Sequence, residues 1–258
     1  MCPRTWAAAL VFLFLISGLA TSARADVAPF KPLDDLRAST PHLIDEGGVR
    51  VLGAGALLLV GARDLDEDMQ ERFRNQNRLG GFDHLGNEVL GTGVPGLLLA
   101  GGFWWQGERT QQARTVRAGQ ASLEAIATTF VATSGIKVLA DRERPDGSDR
   151  HSFPSGHTST VFASAGVLHE FYGWEVGAVA DALGVLTAFS RVQANKHWFS
   201  DTVGGGLLGF SIGRAVARAH REQLGELAHN ANGNGESPFT VVPIVDSTFF
   251  GAQLTARF

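Results

Sequence analysis

The sequence predicts an all-α fold, a six-helix core bundle followed by a short C-terminal β-hairpin, on three observations. Six apolar stretches, rich in Ala and Leu and almost free of charge, recur between Val51 and Gly213. Runs of that length exceed ordinary buried strands and read as helices. Apolar residues make up 44% of the 258 residues and charged ones 19%, which suits a chain with a buried core and excludes an ordinary disordered one. Finally, Thr240 to Phe258 reads as two short strands turning near Asp246-Ser247.

The elements follow in chain order. Arg4, the apolar run Ala7 to Leu19 and the small-x-small site Ala23-Arg24-Ala25 are the three parts of a secretory signal, so residues 1–25 are expected to be removed. Their loss takes away Arg4, Arg24 and the single cysteine, Cys2, and moves the formal charge from −4 to −6. Residues 26–47, with Pro29, Pro32 and Pro41, read as a polar lead-in, and residues 48–222 as the helical domain. Its runs are Val51 to Ala62, Val89 to Trp105, Ala125 to Ile136, Thr158 to Leu168, Val176 to Ser190 (interrupted by Asp181) and Thr202 to Gly213. Arg63 to Arg78, dense in both charges, reads as a further, solvated helix. Residues 223–258 form the tail, whose linker is the Gly/Asn-rich stretch from Asn230 to Pro238.

A spanning helix needs about 20 mostly apolar residues, and most of these runs are shorter. Val89 to Trp105 comes nearest but carries Pro95 and five glycines, and the mean hydropathy is only +0.03. A removed signal would also leave the loop after a third span inside the cell. The expected protein is therefore an exported helical domain, periplasmic or resting on the outer side of a membrane. The acidic balance excludes a general nucleic-acid binder. With Cys2 alone there is no disulfide framework and no thiolate zinc site.

Three blocks carry chemistry. Lys137, then Arg144-Pro145 after six intervening residues, ends the third helix and enters the following loop. Both are cations suited to an oxyanion, the Arg as a planar fork and the Lys as a compact charge. Pro154-Ser155-Gly156-His157 opens the fourth helix, where free N–H groups and the helix dipole attract anions. Ser190-Arg191, five residues, His197, three residues and Asp201 form the third block. His197 and Asp201 stand four apart, which on a helix lets a carboxylate orient an imidazole. His151, Trp104 and Trp105 are weaker candidates for lining a site, and Asp181 needs a polar partner if buried.

Taken together, the three blocks resemble the motifs of the type 2 phosphatidic-acid phosphatase superfamily, which also holds bacterial class A acid phosphatases and vanadium haloperoxidases. The gaps are family-like too: eight residues between Pro145 and Pro154, 32 between His157 and Ser190. The likeness runs from about Gly48 to Arg221. It implies a phosphoric monoester hydrolase. Lys137, Arg144 and Arg191 would grip the phosphate, with hydrogen bonds added by Ser155 and the Gly156 N–H. His197 would be the phosphorylated nucleophile, Asp201 the partner of its other ring nitrogen, and His157 the donor to the leaving alcohol. No metal or cofactor is implied. The substrate would be a phosphorylated small molecule or a lipid (pyro)phosphate, met in solution or at a membrane surface. Two alternatives stand beside it: a vanadium-dependent haloperoxidase, and a non-catalytic membrane-associated protein on the same scaffold.

Overall fold

The computed structural model describes residues 30–74, 78–231, 239–246 and 249–256. The expected signal segment and the linker from residue 232 to 238 lie outside the described residues. The described residues hold nine α-helices rather than six: α1 Pro32–Ser39, α2 Glu46–Asp64, α3 Asp66–Phe73, α4 Phe82–His84, α5 Val94–Thr110, α6 Ala113–Ala140, α7 Gly156–Tyr172, α8 Trp174–Gln193 and α9 Phe199–Ala231. Six of them are 17 residues or longer, and each contains the core of one apolar run. A π turn at Leu85–Val89 and a 3₁₀ turn at Leu90–Thr92 lead from α4 into α5. Phe239–Asp246 and Phe249–Ala256 pair as an antiparallel hairpin, with Asp246 opposite Phe249.

The lead-in is part of the fold. Asp45 caps α2, its carboxylate accepting from the Gly48 N–H at 2.6 Å, and also pairs with Arg214 of α9 at 3.0 Å. Gln223 of α9 donates to Asp35 of α1 at 2.8 Å. Periodicity missed α1 because the helix is held by these polar contacts.

The helix α6 is longer than its apolar run for a similar reason. Its first half buries Arg117, Gln120 and Glu124, and Glu124 meets His220 of α9 at 3.0 Å. Its second half exposes Phe130, Val131, Val138 and Leu139. Polarity therefore runs inside out along one helix.

The α7–α9 contact sets the spacing of the site. Gly205, Gly209 and Gly213 fall four apart on α9 and face the α7 backbone. A Cβ at Gly209 would lie 2.0 Å from the Ser159 carbonyl oxygen, and one at Gly213 would lie 2.1 Å from that of Ala163. Small residues at this spacing let two backbones approach closely. Gly209→Ala gains about 1 kcal/mol of helix propensity. It also forces the helices apart, at an overpacking cost of about 1–3 kcal/mol, or more where backbone must move. We expect net destabilisation, read as a lower midpoint in chemical denaturation, while Gly53→Ala, where a Cβ meets nothing within 4 Å, leaves the midpoint level or higher.

Candidate active site

The C-terminal ends of α6 and α8, the start of α7 and the start of α9 converge at one end of the bundle. The Ser155 N–H donates to the Asp201 carbonyl at 2.9 Å, tying the start of α7 to that of α9. Arg144 reaches over from the loop after α6, its Nη1 donating to the Lys196 carbonyl at 3.0 Å.

His197 sits in the turn between α8 and α9, only 3% exposed. Its Nδ1 lies 2.8 Å from the Ser152 carbonyl oxygen. A carbonyl can only accept, so the ring proton is on Nδ1 and Nε2 keeps its lone pair. That lone pair faces Arg144, whose Nη1 is 3.4 Å away. Asp201 is fully buried, but its Oδ2 is 3.8 Å from Nδ1, beyond hydrogen-bond range. The expected direct Asp201–His197 bond is thus replaced by one to the Ser152 backbone. Asp201 instead accepts from the Ser152 hydroxyl, from the Trp198 N–H at 2.9 Å and from Arg142 Nη1 at 2.7 Å. The spacing of four places His197 and Asp201 close together, but His197 precedes the first turn of α9 and its ring turns toward the loop.

The cations surround Nε2. Lys137 donates to the His151 carbonyl at 2.5 Å and lies beside Gly156. Arg191 donates through Nη1 to Asn87 at 3.0 Å, and its buried Nε has no hydrogen-bond partner among the described residues. Asn87 in turn donates to Asp83 at 3.0 Å. Arg144 is braced by Asp149 at 2.8 Å. Ser155 is fully buried and accepts from Thr158 Oγ1 at 3.0 Å, leaving its own hydroxyl proton to donate. The Gly156 N–H, at the first turn of α7, makes no hydrogen bond among the described residues.

His157 stands across from His197. Its ring is held by packing: a Cβ on Gly91 would lie 2.2 Å from it, so only glycine lets the 3₁₀ turn close over the imidazole. Burial, then the charges of Arg191, His197, Arg144 and Lys137, push His157 down to about 4. Burial also brings His197 to about 4, with Lys137 and Arg191 working in the same direction against Asp201. Lys137 falls to about 8, from burial and then Arg144 and Arg191, against Asp201 and Asp149. All three shifts report one condition: concentrated positive charge, two neutral imidazoles and a buried donor without a partner. An oxyanion supplies what the cluster lacks.

Lys137, Arg144, Ser155, Gly156, His157, Arg191, His197 and Asp201 are therefore brought together. The exposed His151 ring stays outside, contributing its carbonyl. Trp104 bonds Glu108 and packs on Phe30, while Trp105 is exposed, so neither joins the site. Asp181 finds its partner in His169, at 2.7 Å. Sequence reasoning missed Arg142, Ser152, Asn87 and Asp66. Arg142 lay in plain view two residues before Arg144, whereas Asp66 stands in a segment where acids and bases crowd without pattern.

Residues 121–224 match the family model described as PAP2 superfamily. This segment resembles a PAP2 domain. It contains every one of the eight site residues. The chain is also 40% identical over 76 residues to the lipid A 1-phosphatase of Porphyromonas gingivalis, covering 28% of this chain and 17% of that one. It is 34% identical over 70 residues to the lipid A 4'-phosphatase of Helicobacter pylori, covering 27% and 35%. The matched part thus spans about a sixth and a third of the lengths of these relatives. A solved transmembrane PAP2-type phosphatidylglycerolphosphate phosphatase from Bacillus subtilis superposes with a TM-score of 0.41 at 20% identity, over 77% of this chain and 98% of that one.

Proposed function

We propose that the protein is a metal-independent phosphatase that hydrolyses lipid phosphate or pyrophosphate groups through a phosphohistidine, at a membrane surface outside the cytoplasm. The observation that carries the reading is the His197 ring: proton fixed on Nδ1, lone pair on Nε2 aimed into a cradle of Lys137, Arg144 and Arg191. In this scheme Nε2 attacks phosphorus while the P–O bond to the leaving group breaks. His157 gives that oxygen a proton. Water then attacks the phosphohistidine as His157 takes the water's proton back, and phosphate departs. The His157 ring is neutral in the empty cradle, and an incoming phosphate dianion favours its protonated form. Positioning and charge stabilisation supply most of the catalysis of phosphoryl transfer, which three cations and a helix N-terminus can provide.

Two features support a lipid substrate. An apolar groove of about 810 Å³, lined by Leu90, Pro95, Leu98, Leu99, Val161 and Leu183 among others, includes Thr160, one turn along α7 from His157. Large apolar side chains are also exposed on several helices, with Leu57 77%, Leu98 71%, Phe130 68% and Leu139 86% exposed, a surface suited to contact with lipid. Among the described residues one helix, α6, is long and apolar enough to cross a membrane.

The test is turnover by purified protein of p-nitrophenyl phosphate, phosphatidate, an isoprenyl pyrophosphate and lipid A, each with and without EDTA. Hydrolysis of the lipids that survives chelation is expected. Loss with EDTA and recovery with a divalent ion would overturn the metal-free scheme. The cradle also sets a pH dependence. Lys137, charged below about 8 in the empty site, loses its proton above that, so vanadate affinity is expected to fall above about pH 8. Lys137→Arg, whose guanidinium stays charged, should carry the affinity to higher pH. Titration of turnover with vanadate across pH 6–10, about the working range of common buffers, checks both.

A further inference from the structure

Asp201 lacks the direct bond to His197 that its position implies, and a second carboxylate stands behind it. Asp66, the first residue of α3, is buried. Its Oδ1 accepts from the Ser200 N–H at 2.7 Å, and its Oδ2 accepts from the Ser200 hydroxyl and from Arg142 Nη2, each at 2.7 Å. Arg142 Nη1 donates onward to Asp201 Oδ1 and to Ser200 Oγ, again at 2.7 Å each. The guanidinium thus bridges two buried carboxylates, and its plane is further held by the Trp198 ring, 5.5 Å away.

Charge counting gives the arrangement a meaning. Alone, Arg142 would cancel Asp201 and leave His197 with no counter-charge. With Asp66 included, the trio carries a net charge of minus one. Attack through Nε2 turns a neutral imidazole into a positively charged phosphoimidazolium that still donates from Nδ1. The cluster is neutral only in that state. We propose that Asp66 and Arg142 are positioning residues for the proposed phosphohistidine reaction: Arg142 clamps Asp201 and the Ser152 loop behind His197, and Asp66 supplies the surplus negative charge that stabilises the phosphorylated ring. The proposal rests on the phosphatase reading above. Other charged and titratable groups around His197 are Lys137 from α6, Arg144 from the loop, His157 from α7 and Arg191 from α8, and a further carboxylate, Asp149, pairs with Arg144 Nε at 2.8 Å.

The experiment compares Asp66→Asn and Asp66→Glu with the wild type, as full chains. Asn keeps acceptor geometry and removes the charge. Hydrogen bonds to charged groups are worth enough that kcat is expected to fall about 10–100-fold. KM and vanadate affinity should stay within about threefold, because no cradle residue is touched. Phosphate trapped by alkaline quench, per vanadate-binding site, should fall about tenfold, and Glu should restore most of both quantities. A merely structural role would lower active-site number and rate together, leaving trapped phosphate per site unchanged. That outcome, or a wild-type kcat in Asp66→Asn, overturns the proposal. Should Asp66→Asn fail to fold, Arg142→Lys answers instead: it keeps the net charge but offers a looser clamp. A loss of about tenfold in kcat at unchanged vanadate affinity supports the clamp, and an unchanged kcat overturns it. If the wild type neither turns over nor traps phosphate, the parent reading fails, a result distinct from any outcome in the variants.

Discussion

Replacing His197 by alanine is expected to remove turnover by at least about 10⁴-fold, more than about 5 kcal/mol of transition-state stabilisation, with the fold intact. The size follows from its role in the scheme as the sole attacking atom. Among the described residues the other candidates in the cradle are otherwise engaged: Ser155 Oγ is buried and accepts from Thr158, Lys137 is bound to a carbonyl, and His157 is the proton donor of the scheme. The ring bonds the Ser152 carbonyl through Nδ1 and meets Arg144 through Nε2, so its removal frees those two groups and little else. Rapid alkaline quenching of the wild type should trap phosphate on one histidine, and peptide mapping kept above neutral pH should place it at His197. Label elsewhere, or wild-type rates in His197→Ala, would falsify the assignment.

The second large effect concerns the leaving group. His157→Ala should slow alkyl and lipid phosphates by about 10²–10⁴-fold, the range of general acid catalysis. The same change should cost p-nitrophenyl phosphate far less, because a phenolate of low basicity leaves without a proton. The contrast follows from geometry. The His157 ring is wedged against Gly91 and makes no hydrogen bond among the described residues, which leaves it open to give its proton to substrate. A rate loss equal for both substrates would mean that His157 only shapes the site. Trapped phosphohistidine should persist in His157→Ala with the activated ester, since attack by His197 does not need the acid. Its decay should slow, because the same ring serves as base toward water.

The chain spells out the cradle before any folding is considered. Lys137, Arg144, Ser155, Gly156, His157, Arg191, His197 and Asp201 sit in three short blocks, a pattern that suits a tetrahedral oxyanion because helix ends supply several donors from short segments. The six long helices were legible for the same kind of reason. Ala- and Leu-rich runs free of charge have few other folded forms. What escaped is what depends on partners far along the chain. The helix α1 and the first half of α6 carry polar residues on buried faces, where Asp35 meets Gln223 and Glu124 meets His220, and local periodicity reads such faces as solvent. The apolar exposed half of α6 reads as core by the same logic.

At the site, composition and spacing determined which residues gather, but not which atoms touch. A separation of four implied a carboxylate near the His197 ring, and the family resemblance put it on the ring nitrogen that does not attack. The tertiary structure gave that place to the Ser152 carbonyl and turned Asp201 toward Arg142, with Asp66 behind it. The physical reason is that hydrogen bonds are settled within a few tenths of an ångström. Placement that fine depends on the loop from Asp141 to Ser155 and on an α3 residue more than a hundred positions from Asp201, and neither leaves a local pattern in the sequence.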